Sequence, residues 1–258
     1  MHNRFDPEAL FYNGKEQPLD RFAAHGGFCR IFRSLAIIGD SLSAGEFESE
    51  DEHGNIRYTD MYDHAWGTYL GRMTGIRIQN FSRGGMTALE YLDTWAEQNG
   101  FWNISKACQG YVLALGVNDL FYKDVPLGTI NDAKRREQTV FSGQFAEIVR
   151  RYQEIQPAAK FFFLTMPQGQ QSEEQRQKAD AHAALMREMS RHFANSYVID
   201  LRKYAPCYDR RFRDCAYLNG HLNPMGYAFT SDMIATYIDF IIRHNPGDFK
   251  MLGFIGSG

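Results

Sequence analysis

The chain has 258 residues, 44% of them hydrophobic, with 28 Lys and Arg set against 31 Asp and Glu for a formal charge of -3. That length and apolar content are enough for one domain with a sizeable buried core. The slightly acidic balance offers no basic field for phosphate contacts, which argues against nucleic acid as a partner and for a small or neutral substrate.

A mixed lead-in over residues 1–33 precedes an alternation of short apolar runs with longer segments of helical period, the pattern of parallel strands joined by crossover helices. The spacing predicts strands over 35–39, 76–81, 111–115, 160–165 and 197–201, several of them apolar throughout, as strands buried on both faces are. Helices are expected over 63–73, 87–98, 139–156, 172–194 and 226–243. Ser172 with Gln175 three residues on forms a capping box. In the last of these helices Tyr227, Met233, Ile234, Tyr237, Ile238 and Ile241 make a core stripe. Three non-periodic stretches, 46–61, 120–138 and 204–218, read as long loops, the first two leaving the carboxyl ends of strands and so rimming one crevice. One domain spans 1–258, with the lead-in at 1–33, the core at 34–243 and a tail at 244–258.

Four cysteines, Cys29, Cys108, Cys207 and Cys215, contain no Cys-x-x-Cys pair and read as reduced thiols. The start of the chain lacks the apolar stretch of a signal peptide, and no run is long and apolar enough to span a bilayer. A cytoplasmic location is therefore expected, a leader already removed being the alternative. Nothing in the sequence bears on oligomeric state.

Four blocks carry the chemistry. Gly39-Asp40-Ser41-Leu42 ends the first strand, Asn80-Phe81-Ser82-Arg83-Gly84-Gly85 the second and Gly116-Val117-Asn118-Asp119 the third, while Gly220-His221-Leu222-Asn223-Pro224 opens the last helix. Open α/β sheets place their sites at these strand ends. Each block alone has a plain reading: Ser41 or Ser43 as a helix cap, Asn118-Asp119 as a turn, His221 as a structural residue at a helix entry. Together, in this order, they resemble the SGNH hydrolases, the superfamily of esterases and lipases that includes the GDSL enzymes, over about residues 34–243.

The resemblance implies a three-layer α/β/α sandwich with a mainly parallel five-stranded sheet in flavodoxin-like order. It also implies that Ser41 is the nucleophile, Gly85 (or Gly84 beside it) and Asn118 are oxyanion donors, and His221 is the base, with no metal or organic cofactor. The residue types suit those tasks. A serine hydroxyl needs an imidazole to take its proton, and the oxyanion of an attacked ester needs preorganised donors, here the Ser41 and Gly85 amides and the Asn118 side chain.

One position departs from the family pattern. The acid commonly found three residues before the histidine is Leu218 here, followed by Asn219. A backbone carbonyl, a carboxylate from elsewhere such as Asp214, or a weak site are the open explanations, and a non-catalytic ligand-binding module is the rival from another class. A flavodoxin-type cofactor protein is a further rival, without a phosphate-cradling loop after the first strand to support it. The acidic run Glu46, Glu48, Glu50, Asp51, Glu52 reads as a solvated loop. Tyr58, Tyr62 and Trp66 either line a sugar-binding wall or pack beneath that loop, and Arg210, Arg211 and Arg213 read as a solvated charged loop, contact with an anionic substrate being the alternative. His64 and His182 read as surface or packing residues. Ester hydrolysis through an acyl-enzyme on Ser41 is the expected activity, with O-acetyl groups on carbohydrate the preferred substrate class and lipid, thioester or aryl esters, or acyl transfer, the alternatives.

Overall fold

In the computed structural model, which describes residues 14–250 and 252, the five apolar runs pair as one sheet in which every neighbouring pair is parallel. Its strands are β1 (Ser34–Gly39), β4 (Arg77–Asn80), β5 (Gly110–Ala114), β6 (Lys160–Leu164) and β7 (Ser196–Ile199), in the order β4-β1-β5-β6-β7. With the first strand inside the sheet rather than at its edge, the chain winds outward in both directions, and the reversal point lies between β1 and β5. The fold is the three-layer α/β arrangement expected.

Alternation along the strands feeds two separate cores. Ala36, Ile38, Tyr111, Leu113, Phe161 and Phe163 face one layer, where helices Phe141–Ile155 and Glu173–His192 cover them. Leu35, Ile37, Val112 and Phe162 face the other, under helices Trp66–Thr74 and Pro224–His244. The core stripe read for the last helix is buried throughout. The 172/175 capping box forms, each side chain bonded to the other's backbone. Cys29 and Phe32 of the lead-in join the second core. The rest of the lead-in up to residue 13, and most of the tail beyond 250, lie outside the described residues. Among the described residues no helix is long and apolar enough to cross a membrane.

The three expected loops hold more structure than their sequences announce. Residues 46–61 form an antiparallel hairpin, β2 (Glu46–Glu50) paired with β3 (Ile56–Asp60), where a solvated loop was expected. Its polar composition concealed a strand whose inward face carries carboxylates instead of apolar side chains. Within 120–138 lies helix Ile130–Arg135, opened by a Thr129–Asp132 capping box. Within 204–218 lie helix Arg210–Ala216, capped by Asp209, and the first strand of a second hairpin, β8 (Tyr217–Leu218) with β9 (His221–Leu222). The turn of that hairpin is Asn219-Gly220, with Asn219 in the left-handed region at φ 55, the pairing that two-residue hairpin turns favour. His221 therefore sits on a short strand just ahead of the helix it was expected to open.

Candidate active site

Ser41 is the first residue of a one-turn helix, Ser41–Ala44, reached directly from β1. The Asp40 carboxylate caps it by accepting from the Leu42 N–H at 3.1 Å. Burial, with a contribution from neighbouring Asp119, pushes the Asp40 carboxyl up to about 7. Asn80 at the end of β4 ties the turns together. Its amide nitrogen donates to the Ser43 carbonyl at 2.8 Å, and its oxygen accepts from the Ser82 N–H at 3.0 Å.

The two glycines of the second block have different tasks. Gly85 adopts φ 72, the left-handed conformation that glycine takes without strain. Gly84 is a close-approach site, because a Cβ there would lie 2.1 Å from Glu46 Oε2. The Gly84 N–H donates to Asp60 Oδ2 at 3.2 Å, whereas the Gly85 N–H has no hydrogen-bond partner among the described residues. That assigns the available amide to Gly85. Asn118 begins a helical turn after β5, its amide nitrogen donates to the Met86 carbonyl at 3.1 Å, and the residue lines the cleft.

His221 completes the set. Its Nε2 lies 3.0 Å from Ser41 Oγ. Its Nδ1 lies 2.6 Å from Glu48 Oε1, so a carboxylate on β2 of the hairpin, rather than one near residue 218, faces that nitrogen. Leu218, at the usual position of that acid, is turned outward and half exposed. Asp214, named as a candidate from the sequence, lies on the exposed helix Arg210–Ala216 and faces Arg210 instead. Gly220 permits the Glu48 contact, since a Cβ there would lie 2.3 Å from Glu48 Oε1.

Glu46 is two residues from Glu48 and so on the same face of β2. Its Oε1 lies 3.0 Å from His221 Nε2, and the two carboxylates straddle the imidazole. Burial raises the Glu46 carboxyl above its usual range, and Asp60 and Glu48 push the same way against the pull of His221. The last helix holds the strand in place, the Tyr227 hydroxyl donating to the Glu46 carbonyl at 2.8 Å. Sequence reasoning missed both glutamates. The signal was there as Glu46-Phe47-Glu48, a period-two alternation with an aromatic between two acids.

Ser41, Gly85, Asn118 and His221 all line one cleft of about 630 Å³. Its lining also includes Gln168, Gln170, Gln171 and Gln175 from the segment after β6, together with Tyr58 and Tyr122. Of the three aromatics in question, Tyr58 lines the cleft and packs edge-on to the His221 ring. Tyr62 bonds the Ser82 carbonyl, and Trp66 is buried beneath the hairpin's approach. Arg213 also reaches the cleft, while His182 is buried in the core and His64 contacts Tyr69. Behind Leu42 lies a smaller, mostly apolar cavity of about 90 Å³, bounded also by Val117, Leu164 and Met166.

No curated protein matches the chain. Solved structures do. A family two carbohydrate esterase from Clostridium thermocellum, in complex with cellohexaose, superposes with a TM-score of 0.58 at 13% identity, over 84% of this chain and 65% of that one. A "possible lipase" from Chitinophaga pinensis DSM 2588 gives 0.57 at 16% identity over 83% and 98%. The acetyl xylan esterase AlAXEase gives 0.52 at 19% identity over 78% and 97%. At such identities the likeness is one of fold. The GDSL-like Lipase/Acylhydrolase family, by contrast, matches the sequence itself over residues 37–229, from β1 through the strand ends and the His221 hairpin into the last helix. The chain is a carboxylic ester hydrolase and belongs to the GDSL-like lipase/acylhydrolase family, within the SGNH hydrolases.

Proposed function

We propose that the protein hydrolyses short-chain carboxylic esters, O-acetyl groups on carbohydrate foremost, through an acyl-enzyme on Ser41. The observation that carries this reading is the continuous line of contacts from Ser41 Oγ to His221 Nε2 at 3.0 Å and from His221 Nδ1 to Glu48 at 2.6 Å. His221 takes the Ser41 proton as Oγ attacks the carbonyl carbon, and Glu48 holds the ring in the tautomer with Nδ1 protonated and stabilises the imidazolium. The Ser41 and Gly85 amides and the free proton of the Asn118 amide receive the oxyanion, each donor worth roughly a hundredfold or more in rate. The imidazolium then protonates the departing alcohol, and water activated by His221 releases the acid. With Glu48 in the orienting role, the missing acid at Leu218 no longer favours a non-catalytic binding module.

Two features favour a carbohydrate alcohol and a short acyl group. The glutamine amides and the Tyr58 and Tyr122 rings offer hydrogen bonds and flat apolar faces, the combination a sugar needs. The apolar cavity behind Leu42, at about 90 Å³, accepts a short aliphatic group and not a long fatty chain. An acetyl xylan esterase and a carbohydrate esterase in complex with cellohexaose among the structures of like fold are in keeping with that class.

A fluorophosphonate probe tests the mechanism. Wild type is expected to label and Ser41→Ala to lose both labelling and hydrolysis; labelling that persists in the variant overturns the assignment of the nucleophile. A series of nitrophenyl esters of increasing chain length tests the acyl group, with turnover expected to peak at acetyl to butyryl. A peak at long chains overturns the short-acyl reading.

A further inference from the structure

We propose that the segment after β6 is a fixed strap that selects the alcohol half of the ester, with Gln170 as the group that reads it and Arg202 as the residue that holds the strap in place. The inference rests on the carbohydrate reading above and names the residues that enforce it.

The strap leaves the carboxyl end of β6, the strand next to β5, and residues 166–171 all line the cleft of Ser41. Of the four glutamines lining that cleft, three are engaged by the protein itself. The Gln168 amide nitrogen donates to the Arg202 carbonyl at 3.0 Å. The Gln171 oxygen accepts from the Arg202 guanidinium at 2.7 Å, and the Gln175 oxygen accepts from the Ser172 N–H at 3.1 Å in the capping box. The Gln170 side chain is exposed and has no hydrogen-bond partner among the described residues. It stands at the apex of a three-residue turn, closed by the Gln171 N–H donating to the Gly169 carbonyl at 2.9 Å. Both ends of its amide are therefore open to a ligand. A primary amide offers an acceptor and donors side by side, the match for two neighbouring hydroxyls of which one donates and the next accepts.

A reading group selects well only when it is held in place before binding. Arg202, only 6% exposed, contacts four of the seven residues in 165–171. Its N–H donates to Thr165 Oγ1 at 2.9 Å, its carbonyl accepts from Gln168, and its Nη1 donates to the Pro167 carbonyl at 3.3 Å as well as to Gln171. On its other side Nε donates to Asp180 Oδ1 at 2.7 Å and Nη2 to the Arg176 carbonyl at 3.3 Å, both on helix Glu173–His192. Swinging the strap away would strand a buried guanidinium without acceptors, and that cost keeps it in place. Tyr208 adds a backbone clasp, its N–H donating to the Gln168 carbonyl at 2.8 Å beside a bridge to Gly169. Gln170 is thus flanked on both sides by anchored residues. Arg202 does not itself line the cleft; it acts through the strap and is a positioning residue.

The test compares two ring acetates, a monoacetate of methyl xyloside and cyclohexyl acetate, whose alcohols have or lack neighbouring hydroxyls. The parent is expected to favour the xyloside. In Gln170→Ala the ratio of the two kcat/KM values should fall by about tenfold, carried by a higher KM for the xyloside. Gln170→Glu keeps acceptors and loses donors, and should fall in between. Arg202→Met should lower the same ratio by a comparable factor, with Arg202→Lys retaining part of it. Gln170 is exposed, so its variants test the reading group even where Arg202→Met does not fold. An Arg202→Met that folds and slows both esters alike marks a purely structural role and overturns the strap. If the parent favours the xyloside and Gln170→Ala keeps that preference, the inference fails and the carbohydrate reading stands. If the parent shows no preference for the xyloside, both fail together.

Discussion

The proposed nucleophile and oxyanion donors come from one kind of structure, and the carboxylates that flank His221 come from another. Ser41, Gly85 and Asn118 each follow a strand of the parallel sheet by two to five residues, so sheet register fixes them relative to one another. Glu46, Glu48 and His221 sit on two small hairpins, β2–β3 and β8–β9, that lean on the sheet's rim and on the last helix. The sheet-end groups inherit their geometry from backbone hydrogen bonds. The hairpin groups depend on side-chain contacts such as Tyr227 with Glu46 and Gly220 with Glu48. Substitutions on the hairpins should therefore damage catalysis while leaving the fold intact, whereas substitutions at the sheet ends should act on stability.

The sharpest break of that comparison is Glu48→Gln. The amide can donate to Nδ1, which turns the imidazole to the tautomer with its proton on Nε2, aimed at Ser41 and useless as a base. Loss of the orienting acid in a serine triad costs on the order of ten-thousandfold in kcat, and a fall of that size is expected on a nitrophenyl acetate assay with the melting temperature nearly unchanged. If kcat falls less than tenfold, the hairpin is dispensable and a carbonyl must be supporting the ring.

Gly220→Ala tests the same region with a single methyl group. The added Cβ would stand 2.3 Å from Glu48 Oε1, so the carboxylate must withdraw from Nδ1 or the hairpin turn must open. A displacement of about 1 Å in a catalytic contact costs roughly a hundredfold. The expected result is a kcat lowered by roughly tenfold to a hundredfold with little change in KM. A parent-like kcat would mean that the Glu48 contact is not the one that matters.

The same division explains what could be read from the sequence. Ser41, Gly85, Asn118 and His221 were legible because each belongs to a short motif whose residues are adjacent in the chain and whose place at a strand end is local. The strands were legible because their apolar runs are long enough to be buried on both faces. Glu48 was not, for two physical reasons. Its partner is 173 positions away in sequence, and no local rule relates the two. Its strand also has an alternation of acid and aromatic that resembles a solvated segment unless the acids have a buried cation-forming partner. The Asn219-Gly220 turn was the missed clue, since a two-residue hairpin there turns Leu218 away from the site and obliges the acid to come from elsewhere.

On the sheet side the corresponding test is Asp40→Asn, where the expected effect is on stability and depends on pH. Asp40 is buried, one oxygen bonded to the Leu42 N–H and the other without a partner among the described residues. Burial raises its carboxyl to about 7, from 3.8 when unfolded. Between those two values the folded chain holds a proton that the unfolded chain has released, so stability declines as pH rises through that window. Above about 7 the folded protein carries a buried, incompletely paired charge. Asparagine keeps the capping oxygen and removes the charge. Thermal melts should therefore show parent and variant close together at the acid end of the window, with the variant more stable by several degrees at its alkaline end. A variant that is destabilised equally at all pH values would mean that the nucleophile turn needs the Asp40 carboxylate charged, and that the sheet side of the site, like the hairpin side, is held by electrostatics.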